Sequence, residues 1–256
     1  MKEKQIAIKV ARQAGKELKK LFLNGNYTVT NKSKHEIVTT ADKLAEKIIL
    51  KEIKKNFPTH QILSEESGLT KNKSDFVWIV DPLDGTTNFS LHNPLFAVSI
   101  ALTYKNEPIL GVVYVPMMND IYFAIKNNGA YLNNQKLTVS KTNKLENSIT
   151  TYCHGKKLSE VKLANKIYNQ LKLKGKDCRH LGTAAIELAM VARGLTEAFV
   201  IPGAMSWDVA AGALLVREAG GLVTDFNSND WNSKSKNILA SNRKIDQEFL
   251  KIIKKI

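Results

Sequence analysis

Two stretches near the start of the chain carry apolar residues at helical spacing. The first covers residues 1–22, where glutamates and the lack of an apolar core segment favour an ordinary amphipathic helix over a targeting peptide. The second covers about 40–56 and can be capped by Thr39 or Thr40. Residues 25–34, between them, are polar and are predicted to form a turn region. The predicted core face of the second helix consists of Leu44, Ile48 or Ile49, and Ile53.

Short apolar runs follow and predict strands. The clearest is the buried run at 76–80, which we expect to stop at Asp81-Pro82. Turn-forming residues separate most of the runs, so neighbouring strands are expected to form hairpins. The first half of the chain is therefore predicted to be two helices with a mostly antiparallel sheet. Its other predicted strands lie at 61–63, 96–104, 109–115, 121–125 and 130–132.

The pattern changes near residues 140–150, after which helices and strands alternate. The predicted helices lie near 158–171, 183–193 and 207–219, with a last one from about 244. The predicted strands lie at 196–201, 222–225 and 237–240. Such alternation is typical of an α/β arrangement. We therefore expect an α+β half over 1–145 and an α/β half over 146–256, which share one catalytic unit.

Composition narrows the class of protein. Hydrophobic residues make up 43% of the 256 residues and charged residues 24%, values that exclude disordered, collagen-like and low-complexity chains. The longest apolar runs are far shorter than the roughly 18 residues that a membrane span needs. Only Cys153 and Cys178 are present, which excludes a disulfide framework or a cysteine-rich zinc site. We expect a cytoplasmic protein with reduced thiols and no membrane partner.

The net charge of +14 allows partners such as nucleic acid or phosphorylated substrates. Most of the excess is lysine, however, and it is scattered along the whole chain. This distribution favours a generally basic solvated surface over a nucleic-acid site.

The string DPLDGTTNF, at 81–89, is the strongest candidate for chemistry. A buried strand delivers Asp81, and Asp84 follows three residues later, so two carboxylates are expected on one side of the turn. Two such carboxylates would repel each other unless a cation such as Mg²⁺, Mn²⁺ or Ca²⁺ neutralised them. Gly85 allows close approach of the backbone, and N–H groups at 86–88 could face a phosphate. Metal-assisted phosphoryl hydrolysis needs this combination.

Two further acidic elements fit the same chemistry. Glu65 and Glu66 follow a predicted strand, and Asp208, after Trp207, begins a predicted helix. Taken alone, the first pair could be a solvated loop, and Asp208 could simply complement the helix dipole. Together with Asp81 and Asp84 they place four acidic positions at the ends of elements, which favours one shared site.

These motifs resemble the inositol monophosphatase family of Mg²⁺-dependent, lithium-sensitive phosphatases. SEESG at 64–68, WIVDPLDGTTNF at 78–89, and WDVAAG at 207–212 with EAGG at 218–221 occur in the family's order and spacing. The resemblance spans nearly the whole chain. It implies an α/β fold, layered as an α-β-α-β-α sandwich, and a homodimer.

The resemblance also implies a set of metal ligands. Glu65, Asp81 and the Leu83 carbonyl would hold one Mg²⁺. Asp81, Asp84 and Asp208 would hold a second, in a site of two or three Mg²⁺ ions that Mn²⁺ could also fill. A water molecule would attack the phosphate in line, oriented by Glu65 and Thr86.

The remaining implied roles concern catalysis and substrate. Asp42 would hydrogen-bond Thr86 and make it a better proton acceptor. Lys32, or Lys34, would be the lysine that precedes the family's Val-Thr stretch. The residues implied to contact substrate are Lys32, Asp84, Gly85, Thr86, Thr87, Gly182, Thr183 and Ala184.

One departure concerns the substrate. Inositol-specific members carry a glutamate seven residues before the Trp-Asp aspartate, where it binds ring hydroxyls, and this chain has Ile201. An apolar side chain cannot accept a hydroxyl hydrogen bond. We therefore expect a phosphomonoesterase of small polyol or sugar phosphates, similar to inositol-1-phosphate phosphatases. The alternatives are a fructose-1,6-bisphosphatase, a 3′-phosphoadenosine 5′-phosphate phosphatase, and a non-enzymatic RNA or transcription-factor role.

Overall fold

The computed structural model describes residues 1–33 and 36–256, and within these ranges the chain forms seven α-helices. Helices α1 and α2 form as predicted, and Thr39 caps α2 by accepting the N–H groups of Ala41 and Asp42. The helices are α1 (Lys2–Asn24), α2 (Thr40–Asn56), α3 (Thr86–Ser90), α4 (Leu158–Lys174), α5 (Ala184–Ala192), α6 (Ser206–Glu218) and α7 (Asp246–Lys254). In the described ranges no helix is both long and apolar enough to cross a membrane.

Fifteen strands accompany the helices in the described ranges. The early ones are β1 (Val29–Ser33), β2 (Glu36–Thr39), β3 (Gln61–Ser64), β4 (Gly68–Leu69), β5 (Phe76–Asp84), β6 (Ala97–Tyr104), β7 (Glu107–Val115), β8 (Asp120–Ile125), β9 (Ala130–Leu132) and β10 (Gln135–Lys136). The later ones are β11 (Ile149–Tyr152), β12 (Asp177–Arg179), β13 (Ala198–Pro202), β14 (Leu222–Thr224) and β15 (Asn237–Ser241).

The strands form two main sheets. Among the described residues, the first has eight strands in the order β10-β9-β8-β7-β6-β5-β3-β4, and only its β3–β5 pair is parallel. The second has five strands in the order β12-β11-β13-β15-β14 and is parallel on the β12-β11-β13 side. Strands β1 and β2 form a separate antiparallel hairpin.

Side-chain burial shows how the layers stack. One core joins α1 and α2 to a face of the first sheet, and a second core joins the opposite face to α5 and α6. On β13, Phe199 points into that second core, whereas Ala198 and Val200 pack with α4 and α7. The order is therefore helix, sheet, helix, sheet, helix, which confirms the predicted α-β-α-β-α sandwich. The division at residues 145 and 146 stays a prediction.

Two predictions about local structure within residues 25–56 were wrong. Part of the polar region 25–34 forms strand β1, because backbone pairing with β2 needs no apolar pattern; Lys34 lies outside the described residues. Leu44 is exposed, and α2 buries Ala45 and Leu50 instead, because its core face is turned slightly from the predicted one.

Glu218, in the EAGG motif, has a structural task away from the acidic residues. Its carboxylate accepts the backbone N–H groups of Asn127, Asn128 and Gly129, at 2.8, 3.0 and 2.8 Å. It therefore attaches the end of α6 to the turn between β8 and β9.

Candidate active site

Strand β5 carries Asp81 and Asp84 in an irregular segment of the first sheet. Asp81 is opposite Ser99 and Asp84 is opposite Ala97, so β5 has one extra residue there. Pro82 fits in this bulge, where its missing N–H breaks no regular pairing. The prediction that the strand stops at Asp81-Pro82 was therefore wrong. The bulge lets the Leu83 N–H donate to Asp81 Oδ1 at 3.0 Å, which orients that carboxylate.

Gly85 makes the turn from β5 into α3. Its φ of 90° is in the left-handed region, and an added Cβ would lie 3.0 Å from the Leu95 carbonyl oxygen. The chain therefore needs glycine here for both conformation and space. Helix α3 begins directly at Thr86, and Thr87 is exposed. The first N–H groups of a helix have no intrahelical acceptor, so they can face a ligand.

Asp42 and Thr86 meet, although 44 residues separate them. The Thr86 hydroxyl lies 2.9 Å from Asp42 Oδ1 and 3.0 Å from the Leu83 carbonyl oxygen. The other oxygen of Asp42 accepts the N–H of Thr39 at 2.8 Å and its hydroxyl at 2.6 Å. Asp42 is thus fixed by the cap of α2. Burial raises the pKa of Asp42, while these hydrogen bonds lower it.

Asp84 joins the first sheet to helix α5. Its Oδ2 accepts the Thr183 hydroxyl at 2.5 Å and the Ala185 N–H at 2.8 Å. Burial raises the pKa of Asp84 to about 6, against the opposing effect of these donors. The Gly182-Thr183-Ala184 segment is therefore held directly against the acidic turn.

Acidic residues from three places in the fold influence one another: the turn after β3, strand β5 and the start of α6. Burial, followed by the charges of Glu65, Asp84 and Asp208, raises the pKa of Asp81 well above its ordinary value. Burial, then Asp84 and Glu65, does the same to the pKa of Asp208. Burial raises the pKa of Glu65 to about 7, although Lys32 lowers it. These four carboxylates therefore lie close enough for their charges to interact, and a cation among them would relieve the repulsion.

The chemistry of these donors fits a hard divalent cation such as Mg²⁺, which prefers carboxylate and carbonyl oxygens. In the described ranges, no three histidine, cysteine, aspartate or glutamate side chains are already grouped so as to hold a metal ion. A cation would remove the repulsion that raises the pKa values of the four carboxylates.

This electrostatic arrangement predicts how stability depends on pH. The folded pKa values of Glu65 and Asp84, about 7 and about 6, exceed their ordinary values of 4.5 and 3.8. The folded state therefore binds more protons, and the stability from this is present at low pH and is lost as pH rises through 6 and 7. In EDTA, we expect Tm to fall between pH 5 and 8. Added Mg²⁺ should raise Tm more at pH 8 than at pH 5.5; an equal rise in calorimetry would contradict this.

Two lysines lie beside the carboxylates. Lys32, a predicted substrate residue, forms an ion pair with Glu66 at 2.5 Å. Lys156, which sequence reasoning missed, pairs with Glu36 and lies 3.9 Å from Glu65 Oε1. Nothing in the local sequence around Lys156 distinguishes it from the many other lysines.

Glu187 was also missed. It is fully buried in α5, where Oε1 accepts the N–H groups of Leu181 and Gly182 at 3.1 Å and the Cys153 thiol at 3.2 Å. Burial raises its pKa to about 8. Asn88, in α3, donates to the Leu181 carbonyl at 2.8 Å. Glu187 and Asn88 therefore position the loop that leads to Gly182. A lone glutamate in the apolar run AAIELAMVA was the available signal.

Sequence similarity identifies the family of the chain. The sequence profile of the inositol monophosphatase family matches residues 2–256. The chain belongs to the inositol monophosphatase family. Members of this family generally depend on Mg²⁺.

Individual relatives are similar to this chain over nearly the full length of both proteins. The Nus factor SuhB of Pasteurella multocida (strain Pm70) is 39% identical over 248 residues, covering 96% of this chain and 93% of the relative. The structure of the extragenic suppressor protein suhB from Bartonella henselae is 35% identical, with a TM-score of 0.94, covering 100% and 99% of the two chains. An IMPase from Thermotoga maritima is 34% identical, with a TM-score of 0.90, covering 100% and 98%.

Proposed function

We propose that this chain is a Mg²⁺-dependent phosphomonoesterase that hydrolyses a small polyol or sugar phosphate. The main support is the convergence of four acidic residues beside a turn suited to phosphate. These are Glu65, Asp81, Asp84 and Asp208. Membership of the family is consistent with this chemistry.

In this proposal, the carboxylates divide between two metal positions. Glu65, Asp81 and the Leu83 carbonyl would hold one Mg²⁺, and Asp81, Asp84 and Asp208 would hold another. The Leu83 carbonyl oxygen has a second lone pair, so its contact with Thr86 leaves it able to bind a metal. When bound, Mg²⁺ supplies positive charge for the phosphate and lowers the pKa of a water nucleophile.

Thr86 and Glu65 would orient the attacking water. The single proton of the Thr86 hydroxyl is directed to Asp42 or to the Leu83 carbonyl, so its lone pairs remain free to accept a hydrogen bond from water. If the hydroxyl took a proton from that water, it would pass its own proton to Asp42. The Glu65 carboxylate, which would also bind metal, would accept the second hydrogen bond from that water.

The phosphate would sit on the turn of Gly85, Thr86 and Thr87, with Lys32 nearby. The leaving group would extend toward Gly182, Thr183 and Ala184. Because the Thr183 hydroxyl donates to Asp84, its contact with substrate would come mainly from the backbone. Ile201, which is buried in the core, offers no acceptor for ring hydroxyls, so a preference for inositol is not supported.

A substrate panel with detection of free phosphate tests the proposal. The panel contains inositol 1-phosphate, fructose 1,6-bisphosphate and 3′-phosphoadenosine 5′-phosphate, each with Mg²⁺ and with EDTA. We expect Mg²⁺-dependent release, inhibited by lithium, and fastest from a polyol or sugar phosphate. Activity that EDTA does not change would contradict the proposal, and preference for the nucleotide would change the substrate class. A homodimer and a cytoplasmic location remain predictions.

A role with RNA is the second candidate. It is favoured by relatives that carry the name Nus factor SuhB and by the net charge of +14. Such a role predicts retention on immobilised RNA that weakens steeply as salt rises. Lack of retention at low salt would reject it, whatever the result of the phosphatase assay.

A further inference from the structure

Lys156 lies in the loop between β11 and α4, and its side chain extends toward acidic residues of the β1–β2 hairpin and of the first sheet. Its ammonium group contacts Glu36 of β2 and lies 3.9 Å from Glu65 Oε1. Its side chain is 46% exposed, so it remains partly in contact with solvent. The loop therefore places one positive charge beside a proposed metal ligand.

The charge of Lys156 acts on more than one carboxylate. It lowers the pKa values of both Glu65 and Asp208, which burial raises. Burial lowers the pKa of Lys156 itself, but Glu36, Glu65 and Asp208 outweigh this and raise it above its ordinary value. Lys156 is consequently charged throughout the neutral range.

The next lysine in the chain provides a contrast. Lys157 is 79% exposed and pairs with Glu160 at 3.7 Å, within its own loop and helix. Removing Lys157 would change the net charge equally but would leave the neighbourhood of Glu65 unaltered.

We propose that Lys156 is a permanent counter-ion for the carboxylates of the candidate metal site. Its positive charge stabilises these carboxylates in the metal-free fold and lowers the affinity of the site for divalent cations. A fixed positive charge near a ligand attracts the carboxylate but repels an incoming cation, and both interactions fall with distance and screening. This inference rests on the proposed function, because it assumes that Glu65 binds metal.

The test is calorimetric titration of the full-length chain with Mn²⁺ at low salt and pH 8.5. We expect Lys156→Ala to bind Mn²⁺ about three- to tenfold more tightly than the wild type. Lys156→Arg and Lys157→Ala should bind like the wild type. The gain should shrink in 0.5 M NaCl, where the Debye length falls to about 4 Å.

A second measurement, of thermal stability without metal, should show a loss for the same variant. In EDTA at pH 8.5, Lys156→Ala should unfold at a lower temperature than Lys157→Ala, because Glu36 and Glu65 lose a shared partner. Equal or weaker Mn²⁺ binding by Lys156→Ala, with normal binding by the wild type, would overturn this inference alone. A wild type that binds no Mn²⁺ would overturn the metal site and this inference with it.

Discussion

Asp81→Asn should reduce phosphate release by at least about 10³-fold, equal to about 4 kcal/mol of transition-state stabilisation. Asp81 is the carboxylate expected to contact both metals, and it receives repulsion from Glu65, Asp84 and Asp208. An amide has similar size but no charge, so it cannot balance two cations. The measurement is kcat/KM at saturating Mg²⁺.

The same variant should be more stable than the wild type in EDTA. Asp81 is 2% exposed, and its raised pKa means that its charge is unfavourable in the fold. Removing that charge should raise Tm at pH 8. Asp75→Asn, an exposed change just before β5, is the matched control and should alter neither property. An active Asp81→Asn enzyme would exclude Asp81 as a shared metal ligand.

Thr86→Ala should lower kcat by about 10²-fold, the usual range for losing a positioned proton acceptor. The loss should appear in kcat more than in KM, because the hydroxyl acts on water and not mainly on substrate. Thr86→Ser retains the hydroxyl and should recover most of the activity. Asp42→Asn should fall between them, because its amide can keep one of the two oxygen contacts.

One result for the two Thr86 variants would contradict a role for the hydroxyl. If Thr86→Ala and Thr86→Ser lost activity equally, packing of the threonine methyl group would explain the effect, and the hydroxyl would have no role in proton transfer. Circular dichroism and Tm in EDTA would show whether either variant had simply lost its fold.

Elements with a strong apolar pattern could be predicted from sequence. Strand β5 contains the apolar run predicted at 76–80, and the position of this run directly ahead of Asp81 made the acidic turn recognisable from the residues alone. Strand β1 lacks such a pattern, because Val29–Ser33 is mostly polar and its stability comes from backbone pairing with β2. The short strand β12 was missed for the same reason.

The same distinction applies to the candidate site: residues in one local motif could be predicted, and contacts between distant segments could not. Asp81 and Asp84 share one short motif, so their proximity follows from local geometry. The contacts of Lys156 with Glu36 and Glu65 join separate sheets, and no local pattern marks them. Glu187 stands in an apolar helix, where burial could be inferred but its acceptance of two loop N–H groups could not.

The hydrogen bonds that Asp84 accepts at the start of α5 affect when the candidate site can form during synthesis. The two partners of Asp84, Thr183 and Ala185, lie 99 and 101 residues further along the chain. Contacts of such long range form late, since closing large loops costs entropy before any contact repays it. A nascent chain that ends before residue 185 would contain the complete turn with Asp81 and Asp84. It would lack the full set of hydrogen bonds that orient Asp84. The complete candidate site is therefore expected to form only after residue 185 has been synthesised, when the secondary structure around the acidic turn is already established.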